Sequence, residues 1–205
     1  MSYAPAWKIA QVQTMAALKD WAPFVSLQIE YSLLQRSVED ELVPMAAEFG
    51  LGITPWSPLK GGLLSGKYNP SGGNQNAGTR LGDTGRKATL SDKEEAILEE
   101  LRKISVTHGS TVAAVALSWV IGRPGVASTI IGVRTKEQLE QNLAALEVKL
   151  SSEEIKALDN LSAPAASFVN SYGEAAKMFH HGGIEVNGYR PAVLPLTKNM
   201  VPGKY

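Results

Sequence analysis

Residues 51–68 read Leu-Gly-Ile-Thr-Pro-Trp-Ser-Pro-Leu-Lys-Gly-Gly-Leu-Leu-Ser-Gly-Lys-Tyr, and this stretch decides the fold class. A short apolar run that contains Leu51 and Ile53 ends in an aromatic residue, Trp56. A Ser-Pro turn follows, and then a glycine-rich loop that carries two lysines. Apolar strands that end in loops of glycine, serine and lysine are how α/β folds present backbone N–H groups and cations to phosphates. The stretch therefore predicts one wall of a nucleotide site.

The composition is that of a globular chain without charge bias. Lysine plus arginine equals aspartate plus glutamate, at 20 each among 205 residues, so no global attraction to nucleic acid or to an acidic membrane is expected. The chain has no cysteine, which excludes a thiolate metal site and a cysteine nucleophile. No signal-peptide pattern opens it, and no apolar run approaches the ~20 residues that span a bilayer. We expect one substantial cytoplasmic domain with no nucleic-acid or membrane partner.

Helical and extended segments alternate along the chain. Apolar spacing and capping residues predict helices over 5–20, 37–50, 91–108, 110–121, 135–146 and 151–161. Short β-rich runs predict strands over 24–29, 51–56 and 127–131. Pro44 falls inside the second of these helices, where proline disturbs continuity. Strands that alternate with helices imply right-handed βαβ units, so the predicted fold class is α/β with a parallel sheet.

Two stretches lack a regular apolar period. Residues 69–90 are rich in glycine and asparagine, and a connection of this length is usually functional or mobile. The tail over 163–205 has no strong period either, so we predict an irregular, partly disordered segment after a domain at 1–162. His180 and His181 in this tail have no third ligand at a suitable spacing, and we predict no metal site.

Four segments of the chain together resemble the aldo-keto reductases, NADP(H)-dependent enzymes built on a (β/α)8 TIM barrel. They are Phe24–Arg36, Gly52–Tyr68, Ala113–Trp119 and Ile130–Leu146, in the family's order and at roughly its spacing. The resemblance covers about residues 5–162 and implies an incomplete barrel that contains its sixth to eighth strands. The family's catalytic Asp, Tyr, Lys and His lie on earlier strands and match no position here. We therefore predict no catalytic residue in this chain.

The resemblance implies that the stretch at 51–68, together with the strand at 24–29, binds the nicotinamide and the pyrophosphate of NADP(H). Trp56 resembles the aromatic residue on which the nicotinamide ring stacks, although a core tryptophan is the alternative. Gln28 resembles the residue that hydrogen-bonds the carboxamide, and we expect an inward-facing amide that needs a partner. The loop residues that resemble the pyrophosphate-binding loop are Ser57, Leu59, Gly61, Ser65 and Lys67. Lys60 could share this role, and a surface turn without function is the alternative.

A second wall of the cofactor site is implied by the residues after the third predicted strand. They are Gly132, Arg134, Gln138, Gln141 and Asn142. Arg134 lies between a strand and a helix N-terminus, a natural place for an anion, and resembles the family's ligand of the 2′-phosphate, which favours NADP over NAD. Gln138 and Asn142 share one helix face, on the ribose and adenine side. Thr135 and Gln138 also match a capping box, and both roles of Gln138 can hold together.

Three readings of the function stay open from the sequence. The first is the cofactor-binding part of an aldo-keto reductase, whose parent reaction reduces a small-molecule carbonyl with NADPH. The second is a non-catalytic NADP(H)-binding or regulatory subunit, similar to the potassium-channel β subunits. The third is an inactive truncated fragment. Because three parallel strands cannot close a barrel, we expect self-association or pairing with a missing barrel half.

Overall fold

The computed structural model describes residues 1–2, 4–67 and 90–165, and further residues at 167–169, 171–173, 176, 184–185, 188 and 190. The chain divides into two compact units, Met1–Pro164 and Ala165–Tyr205. In the second unit, the rings of Phe168 and Tyr172 stack with centroids 5.5 Å apart. The predicted loop at 69–90, apart from its last residue, and the His180–His181 pair lie outside the described residues. The first unit contains both predicted walls of the cofactor site.

The first unit contains helices and a small parallel sheet. Its α-helices are α1 (Ala6–Lys19), α2 (Leu42–Glu48), α3 (Asp92–Thr107), α4 (Val112–Ile121), α5 (Lys136–Leu143) and α6 (Ser152–Ser162). Short 3-10 segments cover Ser37–Glu39, Lys60–Ser65 and Ala144–Leu146. The strands are β1 (Ser26–Glu30) and β2 (Gly52–Trp56), which pair in parallel with Gln28 opposite Thr54. This is the α/β architecture that the alternating sequence pattern predicts.

The third predicted strand, 127–131, does not form a regular strand. It lies beside β2 in parallel through one bridge, between Ile53 and Val126, and a few backbone hydrogen bonds. The Ile53 N–H donates to the carbonyl of Gly125, and the Ile53 carbonyl accepts the N–H of Ala127. The next hydrogen bond of a regular parallel ladder would need a backbone N–H at position 55, and Pro55 has none. The Pro55 carbonyl instead accepts from the N–H of Ile130 at 2.8 Å. The predicted position of this segment, beside β2, is therefore correct, but its predicted secondary structure is wrong.

Two other predicted boundaries are wrong for local reasons. The single helix over 37–50 is a 3-10 turn followed by α2, because Pro44 is tolerated only in the first turn of a helix and α2 starts two residues before it. Ser37 caps no helix. The first strand begins at Ser26 rather than at Phe24, because the side-chain amide of Gln13 bonds both the N–H and the carbonyl of Phe24.

The core lies on one face of the sheet, under the helices. Leu27 and Ile29 of β1 and Ile53 of β2 point into it and are buried, as alternation along a strand requires. Helix α4 is buried along most of its length and packs against α3, α5 and the Lys60–Ser65 turn. Among the residues that the structure describes, no helix covers the opposite face of the sheet, and Gln28 on it is exposed. The sheet therefore separates a packed core from an open face.

The residues that helix α1 buries are mostly not the large apolar residues whose spacing predicts the helix. Its buried residues are Ala6, Ile9, Gln13 and Ala16. Trp7 and Leu18, whose spacing helps to predict the helix, are 62% and 82% exposed. The helix is correctly predicted, but its large apolar side chains are left on the surface of the described fold.

The helix starts are set by short-range capping bonds. Ser91 and Ser151 each form a full capping box, with Glu94 and Glu154 respectively. Thr111 accepts the N–H of Ala114 at the start of α4. These caps confirm the predicted starts of α3, α4 and α6, because a cap needs only residues that are neighbours in sequence.

A buried polar cluster joins the segment after β1 to α4 and α6. The Arg36 guanidinium makes two hydrogen bonds to the Glu39 carboxylate, at 2.9 and 2.8 Å, and also donates to Ser162 and to the carbonyl of Asp159. It lies 5.2 Å from the ring centroid of Trp119, which Arg123 contacts at 4.7 Å.

The same cluster contains further hydrogen bonds, including those from Arg123 to the Asp159 carboxylate at 3.1 and 3.0 Å. The Trp119 indole N–H donates to Asp159 at 3.0 Å, and the Tyr31 hydroxyl donates to Glu39 at 2.6 Å. Burial, together with Glu39, raises the pKa of the Tyr31 phenol. Tyr31 and Arg36 lie in the Phe24–Arg36 segment that resembles the aldo-keto reductases, and their contacts give them structural roles here.

The His108–Glu154 contact gives stability a pH dependence. The Nε2 atom of His108, at the end of α3, lies 3.0 and 3.1 Å from the two carboxylate oxygens of Glu154. Burial alone would raise the pKa of Glu154, but bonds from Ser151 and the contact with His108 hold it below its ordinary value of 4.5. Since the folded pKa is the lower one, the carboxylate stabilises the fold above pH ~4.5, and this contribution is lost as the pH falls through the folded pKa.

We therefore expect His108→Ala to lower the free energy of unfolding at pH 6 by about 0.5–1 kcal/mol, and by less at pH 3. Urea melts at both pH values measure this. Lys103→Ala, which breaks an exposed pair with Glu100, is the control. An equal effect of His108→Ala at both pH values would contradict the role of the Glu154 carboxylate.

Candidate functional site

The first wall of the predicted site lies where β1 and β2 end. Gln28, Glu30, Thr54 and Trp56 lie on the face of the sheet that is away from the helices, and Glu30 is the register partner of Trp56. Trp56 is half-buried, so it is neither a core tryptophan nor a fully exposed one. A flat ring at the carboxyl end of a barrel strand is placed as a stacking platform requires.

Gln28 does not need the buried partner that the sequence predicts. Its side chain is exposed, because the sheet face on which it lies is uncovered in the described structure. Its backbone N–H donates to the carbonyl of Met1 at 2.8 Å, and Ser2 forms a parallel bridge with it. Gln28 and Trp56 nevertheless share one face at neighbouring register positions, which is the arrangement that a common ligand would need.

The loop after Trp56 has an unusual backbone. Ser57 and Lys60 have positive φ angles of 52° and 49°, which non-glycine residues seldom adopt. The Ser57 hydroxyl accepts the N–H of Gly61 at 3.3 Å, and its carbonyl accepts the N–H of Lys60 at 2.8 Å. A Cβ atom at Gly61 would meet no atom of the described residues within 4 Å, so the backbone there is open to close approach by a ligand.

The end of this loop is fixed against helix α4. Gly66 has a φ of 75°, and a Cβ atom there would lie 3.1 Å from the Val112 side chain. The Ser65 hydroxyl donates to the carbonyl of Gly62 at 2.6 Å. Leu59 is half-buried against the core, and Lys67 at the end of the loop is exposed. The structure thus brings the predicted loop residues together in one turn, which follows β2 in the chain and packs against α4.

The second wall begins at the segment beside β2. Because Ile130 bonds the carbonyl of Pro55, Gly132 and Trp56 leave the sheet at the same end. Gly132, Arg134 and Gln141 are exposed. The Gln138 side chain accepts the N–H of Arg134 at 2.9 Å, and its own N–H donates to the Thr135 hydroxyl at 3.3 Å. The predicted capping box is therefore modified, since Gln138 bonds one residue before Thr135.

Asn142 is the buried polar residue of this wall. Only 9% of the residue is exposed. It lines a cavity of about 280 Å³ whose other walls are mostly apolar, including Ile131 and Leu143. The Thr129 hydroxyl also lines this cavity and is buried without a hydrogen-bond partner in the described part of the chain, so it is expected to bond a ligand or water. This cavity and the open backbone at Gly61 are the two features that a dinucleotide site would use.

Glu30 belongs to the first wall, although no sequence pattern marks it as a site residue. Its carboxylate lies 2.7 Å from Nζ of Lys60, and the two side chains are 26% and 32% exposed. Lys60, which could have contributed to a phosphate site, is thus paired with a carboxylate. No local sequence signal joins two residues thirty positions apart, so only the fold reveals this pair. In the described residues, no group of three or more acidic or histidine side chains could hold a metal ion.

Comparison with known proteins agrees with this geometry. A sequence model of the Aldo/keto reductase family matches residues 3–163. The chain belongs to the aldo/keto reductase family. Members of this family are (β/α)8 barrels, and the described helices with their small parallel sheet are an incomplete form of that barrel.

Individual relatives of this aldo/keto reductase chain are oxidoreductases by name. It is 39% identical over 155 residues to "Uncharacterized oxidoreductase YrpG" of Bacillus subtilis, covering 76% of this chain and 45% of that protein. It is 29% identical over 164 residues to "Versiconal hemiacetal acetate reductase" of Aspergillus parasiticus (78% and 47%). It is 31% identical over 162 residues to "Probable aryl-alcohol dehydrogenase AAD4" of Saccharomyces cerevisiae (78% and 49%). The chain spans about half the length of these curated relatives.

No single helix among the described residues of this family member is long and apolar enough to cross a bilayer. Helices α3 and α4 would suffice together by length and composition, but they are bent by 98° at the break between them.

Proposed function

We propose that this chain binds NADP(H) and supplies the cofactor-binding part of a carbonyl-reducing aldo-keto reductase. The observation that carries the proposal is the common placement of Trp56, Gln28 and the 57–67 loop at the carboxyl end of the sheet. When bound, the cofactor supplies the hydride that reduces a carbonyl. The chain's own residues bind and orient it: Trp56 stacks with the nicotinamide, Gln28 bonds the carboxamide, and the loop contacts the pyrophosphate.

The second wall gives the proposal its preference for the 2′-phosphorylated cofactor. Arg134 precedes the N-terminus of α5 and would bind the 2′-phosphate, while Gln138, Gln141 and Asn142 line the ribose and adenine. The acid that protonates the substrate oxygen matches no residue here, so we propose binding without turnover by the chain alone. A small-molecule carbonyl as substrate of the whole protein and a cytoplasmic location belong to the same proposal and rest on the sequence.

Titration with NADPH and NADH tests the proposal. We expect wild type to bind NADPH more tightly, and Arg134→Ala to weaken NADPH binding about five- to tenfold while NADH binding changes little, since a charge-assisted bond to phosphate is lost. Calorimetric titration measures both. Lys136→Ala, a neighbouring exposed cation, is the matched control. Equal losses for both nucleotides would contradict a 2′-phosphate contact, and absence of NADPH binding by wild type would overturn the proposal.

We also propose that another polypeptide covers the open side of the sheet. It is either a second copy of this chain or a chain that carries the other strands of the barrel. In the described structure the sheet is bordered only by Met1–Ser2 and by the irregular segment at 126–131, and the sheet face that carries Gln28 is uncovered. We expect sedimentation velocity to show concentration-dependent association of the isolated chain. A monodisperse monomer that unfolds cooperatively would contradict this.

A further inference from the structure

The Glu30–Lys60 ion pair lies beside the proposed nicotinamide platform. Glu30 ends β1 opposite Trp56, and paired strands lie about 4.8 Å apart. Lys60 is four residues beyond Trp56, and its ammonium group returns to the end of β1 to contact the Glu30 carboxylate at 2.7 Å. Both charges are therefore held at the edge of the surface on which the nicotinamide would stack.

This position has a particular electrostatic consequence. The nicotinamide ring of NADP⁺ carries a positive charge, whereas that of NADPH is neutral, and the phosphates and the adenosine are the same in both. A fixed charge beside the ring therefore shifts the relative affinity of the two redox forms. By contrast, a change of charge or of loop conformation near the phosphates alters the affinities for NADP⁺ and for NADPH by the same factor.

We propose that the Glu30–Lys60 pair sets how strongly this chain discriminates between the oxidised and the reduced cofactor. The inference rests on the proposed function, in which Trp56 is the nicotinamide platform. In wild type the two charges largely cancel at the ring. Without Lys60, the Glu30 carboxylate attracts the cationic ring and favours NADP⁺. Without the Glu30 charge, the Lys60 ammonium repels that ring and favours NADPH.

The size of the effect follows from Coulomb's law at a partly exposed site. For a charge about 8 Å from the ring and an effective dielectric constant of about 40 to 80, removal of one partner changes the ratio of the two affinities about two- to sixfold. The change shrinks at high salt, because the pair is accessible to screening ions.

The test is the ratio of Kd for NADP⁺ to Kd for NADPH, measured by calorimetry on the full chain. We expect Glu30→Gln to raise this ratio about two- to sixfold and Lys60→Met to lower it by a similar factor. The double variant should return close to the wild-type ratio, and Glu30→Asp, which keeps the charge, should preserve it. Lys103→Met, in the exposed pair with Glu100 on α3, is the control that leaves the ratio unchanged.

The ratio separates charge from structure, because disorder of the loop weakens both redox forms equally. Unchanged ratios in both single variants, or shifts of the opposite sign, overturn the inference while leaving the proposed function in place. Failure of wild type to bind either form overturns the proposed function, and this inference with it. Circular-dichroism melts identify a variant that does not fold. If a single variant fails to fold, the Kd ratios of Glu30→Asp and of the double variant are compared with that of the wild type instead.

Discussion

Arg36→Ala is expected to lower the free energy of unfolding by about 3–5 kcal/mol, the largest effect of any single substitution considered for this chain. Arg36 is almost fully buried, with 8% of its side chain exposed, and it donates to Glu39, Ser162 and the carbonyl of Asp159. Its removal takes two charge-assisted hydrogen bonds from the Glu39 carboxylate in a partly buried site, and Glu39 keeps only the Tyr31 hydroxyl bond and Arg123 at 4.0 Å among its described partners. The loss extends to α6, because Arg36 bonds that helix twice.

Chemical denaturation of the wild type and the variant measures this difference. Lys103→Ala is the matched control, since Lys103 forms an ion pair at a similar sequence spacing but is 64% exposed. We expect its effect to stay below about 0.5 kcal/mol. Comparable effects of the two substitutions would contradict the view that the Arg36 cluster joins the segment after β1 to α6.

Trp56→Ala is expected to raise the Kd for NADPH about tenfold, because stacking of an aromatic ring is worth about 0.5–1.5 kcal/mol beyond the area that it buries and about 1.4 kcal/mol corresponds to tenfold. Because Trp56 is half-buried at the end of β2, we also expect a moderate cost in stability, so binding is compared at a temperature well below both melting transitions. Calorimetry rather than fluorescence is the measurement, since the substitution removes one of the chain's four tryptophans.

Trp21→Ala is the control for this second prediction. Trp21 is 57% exposed and lies after α1, outside both proposed walls. We expect its Kd for NADPH to match that of the wild type. A Trp56→Ala variant that binds NADPH as tightly as the wild type would assign Trp56 a packing role and leave the nicotinamide without a platform in this chain.

Local signals in the sequence were enough to predict much of the fold. The caps at Ser91 and Ser151 and the strand before Trp56 depend on residues within a few positions of one another. The boundaries that failed depend on distant partners. Gln13 occupies the backbone of Phe24 and delays β1, which no pattern in residues 24–29 could indicate.

The candidate site shows the same division between local and distant information. The glycine-rich loop and the polar face of α5 could be read from spacing and from the family resemblance. The exposure of Gln28 could not, because it depends on what covers the opposite face of the sheet. The partner of Lys60 could not be read either, since Glu30 reaches it only once β1 and β2 are paired.

Pro55 has a consequence for how the two walls move. Its missing N–H leaves the segment at 126–131 joined to β2 by few backbone bonds, while β1 and β2 form a regular ladder. Segments held by few backbone bonds open locally at lower free-energy cost than regular strands do. The amide of Ile130 should therefore exchange with solvent deuterium faster than that of Leu27. In kinetic terms, the second wall is expected to open more readily than the first, so the proposed adenosine side of the site would admit a dinucleotide while the proposed nicotinamide side keeps its shape.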